Sequence, residues 1–152
     1  MPWKGNTLRI ARVSEIGRCY IITTVTMGRL PVFQDWRLGR RVVNELKAQQ
    51  DQGRARSIAW VVMPDHLHWL VELQSGSIET VVRQVKGRSA LAVNKAIGRS
   101  GPIWQRGFHD HALRRDEDLR QVARYILRNP LEAGLVARIG DYPLWDACWI
   151  GD

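Results

Sequence analysis

The sequence is poor in features that would cross-link the chain or insert it into a membrane. Its two cysteines, Cys19 and Cys148, lie far apart and form no CxxC pair, so we expect a reduced protein without a structural disulfide. Apolar runs are short, and the longest, residues 58–63, falls far below the ~18 residues that a membrane-spanning helix needs. Arginines interrupt the N-terminal region, which lacks the apolar core of a signal peptide. We therefore expect a cytoplasmic protein with no membrane partner.

Internal repeats, low-complexity tracts and Pro- or Gly-rich linkers are also missing from the chain. A chain of 152 residues with 45% hydrophobic content buries roughly 70% of its unfolded surface, which is sufficient for one domain without a metal staple. We expect a basic N-terminal arm over residues 1–17, a single domain over residues 18–136 and a C-terminal tail over residues 137–152.

Lysine is scarce, although the chain is strongly basic. There are 23 Lys and Arg residues against 15 Asp and Glu, a net charge of +8, and four of these cations are lysines while 19 are arginines. The planar guanidinium group of arginine pairs bidentately with phosphate and stacks on bases. A charge of this sign and composition favours nucleic acid as a polyanionic partner, and the alternative is a soluble protein that is basic without such a partner.

Hydrophobic periodicity predicts an alternation of strands and helices. Strands are expected over residues 18–27, 57–63, 66–73 and 103–113. Helices are expected from Asp35 to before Gly53, from Ser77 to Gly98 with a bend near Gly87, and from Asp118 to about residue 128, before Pro130.

The order of these elements predicts an α+β fold. Its first six elements form the βαββαβ pattern of a ferredoxin-like sheet with helices on one face, and a C-terminal helix follows. Because such folds place the first and third strands centrally, we expect residues 66–73 to form a central strand.

Two pairs of histidines occur at strand spacing. His66 and His68 alternate with apolar residues, so both imidazoles point to one face of the strand and could form half of a metal site. The alternative is a hydrogen-bonded pair on a half-buried sheet surface. His109 and His111 repeat the pattern as a rival pair, for which a catalytic role, a structural role, a DNA contact or support of another ligand by His111 stays open.

The last predicted helix carries a polar stripe. Gln121, Tyr125 and Asn129 are spaced four residues apart and so share one helical face. A phenol can act as a nucleophile and a carboxamide oxygen can bind a hard cation. The alternative for Tyr125 is an amphipathic surface tyrosine with a partly buried ring.

Three segments in this order resemble a known family. They are VVMPDHLHW at residues 61–69, WQRGFHDH at residues 104–111 and ARYILRNPLEAGLV at residues 123–136. Together they resemble the REP-associated tyrosine transposases, which are single-tyrosine HUH transposases, and the resemblance extends from Tyr20 to Val136.

This resemblance implies an HUH nuclease fold and an endonuclease and strand transferase that acts on single-stranded DNA at REP-type hairpins through a 5′-phosphotyrosine intermediate. It implies that Tyr125 is the catalytic nucleophile and that His66, His68 and Asn129 bind a divalent metal, Mg²⁺ or Mn²⁺. A monomer associated with the nucleoid is expected, and a dimer stays open.

Cationic side chains are the expected DNA contacts, although each one could instead be a solvated charge. The candidates lie in the arm, on the second helix and beside Tyr125, and they are Lys4, Arg9, Arg12, Arg18, Arg83, Lys86, Arg88, Arg124 and Arg128. Two other functions remain open: a dimeric insertion-sequence transposase, and a non-catalytic nucleic-acid-binding module in which the histidine pair merely packs.

Overall fold

A computed structural model of the chain describes residues 14–114 and 116–149. The expected DNA contacts Lys4, Arg9 and Arg12 lie outside these residues. The strands are β1 (Cys19–Val25), β2 (Ala55–Met63), β3 (His66–Leu73), β4 (His109–Ala112) and β5 (Trp145–Ala147). The helices are α1 (Trp36–Asp51), α2 (Ile78–Ile97), α3 (Leu119–Leu127) and the short α4 (Asn129–Glu132).

The strands form one antiparallel sheet in the order β4-β1-β3-β2-β5. This arrangement confirms the predicted α+β, ferredoxin-like fold, with β1 and β3 in the interior of the sheet. Among the described residues, no helix combines the length and the apolar character that crossing a bilayer requires.

Each long helix begins at a polar capping residue. The side chain of Asp35 accepts a hydrogen bond from the backbone N–H of Arg37, and Asp118 accepts one from Arg120. Ser77 accepts one from Thr80 at the start of α2. These contacts satisfy N–H groups that have no partner within the helix, and they confirm the three predicted starts.

Helix α2 is uninterrupted from Ile78 to Ile97, with Val85 and Ser89 buried on either side of Gly87. One detail of the predicted elements is wrong. The predicted strand over residues 103–113 pairs with β1 only over His109–Ala112. Before it, Trp104 forms an isolated bridge with Thr26, and Gly107 turns the chain with a φ of 78°.

The two faces of the sheet are covered by different helices. Trp69 of β3 is completely buried on one face, where Trp60 and Ser57 of β2 lie beside Leu46 of α1. Helix α2 packs beside α1, and the side chains of Gln49 and Gln84 are joined by a hydrogen bond of 3.0 Å. The other face carries His66 and His68 and is covered by α3, which contacts β2 and β3. The histidine pair therefore faces α3.

Residues near the end of the chain complete the sheet with a strand that the sequence pattern does not predict. Strand β5 pairs with β2, with Ala147 opposite Ala59. Tyr142 donates a hydrogen bond of 2.6 Å to the carbonyl of Val62, and burial raises the pKa of its phenol to about 12. Leu144 is 1% exposed and packs so closely on Gly39 of α1 that a methyl group there would overlap it.

This packing predicts that the C-terminal segment contributes to stability. Leu144→Ala should lower the free energy of unfolding by about 2–5 kcal/mol, because it opens a cavity between β5 and α1. The matched control is Pro143→Ala, an exposed neighbour whose effect should stay within about 0.5 kcal/mol. Urea unfolding followed by tryptophan fluorescence measures both. Equal stability of the two variants would show that the segment packs only loosely.

Candidate active site

His66 and His68 form a close pair on β3. Their side chains lie on the same face of the strand, with ring centroids 4.7 Å apart and ring planes at 80°. The edge-to-face arrangement brings two imidazoles together in the partly buried space between the sheet and α3. Two imidazoles on one rigid strand are a common start of a metal site.

The orientation of His66 is set by its neighbour in the chain. Nδ1 of His66 lies 2.7 Å from Oδ1 of Asp65, and Oδ2 of Asp65 lies 3.1 Å from Nη1 of Arg29. Burial alone would raise the pKa of Asp65, but the hydrogen bonds with His66 and Arg29 outweigh it and lower the pKa below its usual value. With Nδ1–H donating to this carboxylate, Nε2 of His66 keeps its lone pair for a ligand.

The orientation of His68 is set from the neighbouring strand. Thr23 of β1 lies directly opposite His68, and its hydroxyl is 2.9 Å from Nδ1. Burial, followed by the charge of His66, lowers the pKa of His68 to about 3, and a hydrogen bond with Asn129 opposes this shift. The ring is therefore neutral at physiological pH, which is the form that binds metals.

The remaining two candidates lie on consecutive helices, Tyr125 in α3 and Asn129 at the start of α4. Ala123 and Ile126 are buried, which places the helix against the sheet and brings Asn129 to His68. Nδ2 of Asn129 donates to the carbonyl of Ile126 at 2.8 Å, which leaves Oδ1 to face the imidazole. Tyr125 is half-buried and lies about one helical turn, ~5.4 Å, before Asn129. The fold thus brings His66, His68 and Asn129 together and places Tyr125 on the adjoining turn.

This donor set fits a divalent cation. Two imidazole nitrogens and a carboxamide oxygen suit ions such as Mg²⁺, Mn²⁺ or Zn²⁺, without selecting strictly among them. Within residues 14–114 and 116–149, no three His, Cys, Asp or Glu side chains gather around one point. Beside the three donors named here, water or phosphate oxygens would be suitable further ligands, which would let a substrate join the ion directly.

The second histidine pair lies on the same face but farther out. His109 is opposite Thr23 and His111 is opposite Ile21, so β1 separates both from β3. Two strand spacings, or about 10 Å, are too far for the two pairs to share one ion. The Nδ1 atom of His109 is buried without a hydrogen-bond partner, and Nε2 of His111 lies 3.9 Å from the carboxylate of Glu117.

The described DNA-contact candidates divide into two groups. Arg18 and Lys86 bind the protein itself, since Nε of Arg18 donates to the carbonyl of Leu113 at 2.8 Å and Nζ of Lys86 donates to that of Gln105 at 2.7 Å. The other four face solvent on α2 and α3 or just beyond α3, and they are Arg83, Arg88, Arg124 and Arg128.

Sequence reasoning missed two residues that orient the histidines. Asp65 could have been found, because a carboxylate directly before a strand histidine is within reach of its ring. Thr23 could not, because its position opposite His68 depends on the register between β1 and β3, which are distant in sequence.

The chain is similar in sequence to a known family and to two known proteins. A family model described as "Transposase IS200 like" matches residues 17–129. A REP-associated tyrosine transposase of Escherichia coli K12 is 32% identical over 107 residues, 62% of each chain. A putative REP-associated tyrosine transposase of Haemophilus influenzae Rd is 29% identical over 98 residues, 57% of this chain and 56% of the relative. The match thus spans less than two thirds of these relatives.

Two solved structures resemble the fold. A REP-associated tyrosine transposase bound to a REP hairpin superposes with a TM-score of 0.68 at 27% identity, covering 88% of this chain and 79% of that one. A putative transposase from Deinococcus radiodurans R1 has a TM-score of 0.54 at 21% identity over 76% of this chain and 93% of that one, a likeness of fold alone. The resemblance noted in the three sequence segments is confirmed by these relatives.

The burial of His68 predicts an unusual titration in the metal-free protein. Because burial and then the charge of His66 lower its pKa to about 3, His68 should stay neutral well below pH 6. In the unfolded chain it titrates near pH ~6.5, so between these values the unfolded state binds the extra proton and stability falls as the pH falls. Nitrogen-15 NMR of the imidazoles measures this, with the urea-unfolded protein as reference. A pKa of His68 in the folded protein near its value in the unfolded chain would contradict the burial of this side chain.

Proposed function

The chain belongs to the IS200-like transposase family, and on that premise we propose that it cuts and rejoins single-stranded DNA beside REP-type hairpins. The observation that carries the proposal is that α3 sets Tyr125 one turn from Asn129, whose side chain is hydrogen-bonded to His68. This arrangement supports a site in which a nucleophile acts beside a set of metal donors.

The metal-binding residues in this proposal are His66, His68 and Asn129. A bound Mg²⁺ or Mn²⁺ ion would offset negative charge on the scissile phosphate. Neighbouring side chains orient the two imidazoles. Asp65 lies at Nδ1 of His66 and Thr23 lies at Nδ1 of His68, which leaves the Nε2 atom of each ring for the ion.

Tyr125 is the nucleophile in this proposal. Its phenolic oxygen loses its proton to solvent and forms a bond to the scissile phosphorus, which stays bonded to its 5′ oxygen while its bond to the 3′ oxygen breaks. The leaving oxygen takes up a proton and becomes a free 3′-OH. Attack by another 3′-OH on the phosphotyrosine reverses these events and joins two strands, so no nucleotide cofactor is consumed. Arg124 and Arg128, which are exposed close to Tyr125 in sequence, can pair with the phosphate as it approaches.

The hairpin substrate and the oligomeric state belong to the same proposal. One of the similar structures is described as bound to a REP hairpin, and this chain carries solvent-facing arginines on α2 and α3 that suit a DNA backbone. His66, His68 and Asn129 come together within one chain, and Tyr125 lies one helical turn before Asn129 in the same chain. We therefore expect a monomer to hold a complete site and to work on the DNA of the nucleoid.

Removal of the phenol tests the nucleophile. Tyr125→Phe should abolish a covalent adduct with labelled hairpin-bearing single-stranded DNA, a loss of roughly a thousandfold or more, because no other group replaces the attacking oxygen. A denaturing gel with Mg²⁺ or Mn²⁺ present measures the adduct. The matched control is Tyr142→Phe, which removes a hydroxyl bound to the carbonyl of Val62 and should keep the adduct. An adduct retained by Tyr125→Phe would overturn the assignment.

Removal of the imidazoles tests the metal ligands. Combined His66→Ala and His68→Ala should weaken binding of Mn²⁺ by roughly a hundredfold, because two of three donors are lost. Isothermal titration calorimetry measures binding of the metal alone, without DNA. His111→Ala is the matched control, since β1 separates His111 from β3 and its side chain is 39% exposed. Unchanged Mn²⁺ binding by the double variant would place the metal elsewhere.

A further inference from the structure

His109 is a half-buried histidine that lies outside the candidate metal site but close to it. It is opposite Thr23 of β1, and Thr23 is opposite His68 of β3. Residues directly opposite each other on neighbouring strands share a face, so these three side chains form a row across the face of the sheet that carries the histidine pair. The next residue, Asp110, points to the other face and is buried there, which fixes the side on which the imidazole lies.

The ring of His109 has a hydrogen-bond donor to offer to a ligand. Its Nδ1 atom is buried and has no hydrogen-bond partner among the described residues. A buried N–H without an acceptor is costly, so in the neutral ring the hydrogen belongs on Nε2. The charged ring carries a hydrogen on both nitrogens, so Nε2 is a donor in either state. Because the side chain is partly exposed while Nδ1 is not, the outer end of the ring with Nε2 is the part that a ligand can meet.

A cavity of about 190 Å³ lies beside His109. Thr23 and Val25 of β1 line it together with residues 105–108 of the preceding loop. Val25 is opposite His66 of β3, so the cavity adjoins the histidine pair on the side of β1. A cavity that polar groups line next to a candidate active site is suited to hold part of a substrate.

Other polar groups beside the histidine pair already have partners in the protein. The carboxylate of Asp65 contacts the ring of His66 and the guanidinium group of Arg29. The hydroxyl of Thr23 lies 2.9 Å from Nδ1 of the second histidine of the pair. The part of the chain that the structure describes gives His109 no such contact. A polar group left without a partner in this way calls for a functional explanation.

The direction of attack places the leaving oxygen on the side of His109. Helix α3, which carries Tyr125, contacts β2 and β3, whereas β1 and β4 follow beyond β3 in the sheet. In phosphoryl transfer the attacking and leaving oxygens lie roughly in line on opposite sides of phosphorus. A phenol that attacks a phosphate at His66 and His68 from α3 therefore expels the 3′ oxygen towards β1 and β4. The separation of ~10 Å between β3 and β4 leaves room for that phosphate between the imidazoles.

We propose that Nε2 of His109 donates a hydrogen bond to the 3′ oxygen as this oxygen leaves the scissile phosphorus. The electron pair of the broken bond stays on the oxygen, the donor stabilises the growing negative charge, and the oxygen then takes a proton from solvent. In the joining step the 3′-OH loses its proton to solvent, and the same hydrogen bond orients the attacking oxygen. The proposal rests on the proposed function, and it adds a catalytic residue on the side of phosphorus opposite Tyr125.

Sulfur in place of the leaving oxygen tests this role. The cleaved bond is first mapped with wild-type protein on a hairpin-bearing single-stranded oligonucleotide, and a second substrate carries sulfur instead of the 3′ oxygen of that bond. A thiolate leaves without help from a donor, because it is a far weaker base than an alkoxide and accepts hydrogen bonds poorly. His109→Phe should slow adduct formation with the oxygen substrate by roughly a hundredfold or more, the loss typical of one donor to a developing anion. It should leave the sulfur substrate at the wild-type rate, and single-turnover reactions on a denaturing gel measure both.

Two further variants control for the donor and for its position. His109→Gln carries an amide N–H near the place of Nε2, so it should recover most of the rate that His109→Phe loses on the oxygen substrate. His111→Phe makes the same change two residues along β4, at a side chain opposite Ile21, and should leave both rates unchanged.

The outcomes separate this proposal from the nuclease proposal. A wild-type rate of His109→Phe on the oxygen substrate, an equal loss on both substrates, or a His109→Gln variant as slow as His109→Phe would overturn the role of His109 and leave the nuclease standing. A wild-type protein that forms no Tyr125-dependent adduct with the oxygen substrate would overturn the nuclease, and the role of His109 with it.

Discussion

The register between β1 and β3 is the constraint on which the candidate site depends. It sets Thr23 opposite His68 and Val25 opposite His66, and it decides which side chains of both strands face α3. A slip of one residue would exchange the faces, burying imidazoles where Leu67 and Trp69 now lie. Because Trp69 is fully buried on the opposite face, such a slip costs far more than the hydrogen bonds that a slipped pairing could recover.

Local patterns allowed much of this fold to be predicted from the sequence. Strand alternation identified the shared face of His66 and His68, and capping residues marked the starts of the helices. The structural features that the sequence did not predict depend on contacts between segments that are distant in the chain. Strand β5 is short and pairs with β2 far away in sequence, and the hydroxyl of Thr23 gains its role only through pairing with β3. The loop before β4 has strand-like residues, but the turn at Gly107 ends its pairing.

The positive charge of the chain is not all available to a partner. Arg29 binds Asp65 at 3.1 Å and Arg56 binds Glu72 at 2.9 Å, and both contacts join strands or loops of the sheet. The arginines therefore fall into two groups. Arg29 and Arg56 form ion pairs within the fold, whereas others on α2 and α3 face solvent. The net charge identifies the class of partner, but the structure decides which cations can meet it.

The late position of β5 in the chain affects how the protein is made. During synthesis β2 emerges from the ribosome long before residues 145–147, so its outer edge has no partner while the rest of the sheet assembles. An unpaired edge of apolar residues is a template for strands of other nascent chains. The short β5 covers residues 59–61 of this edge, so β2 gains this protection only after residues 145–147 have emerged.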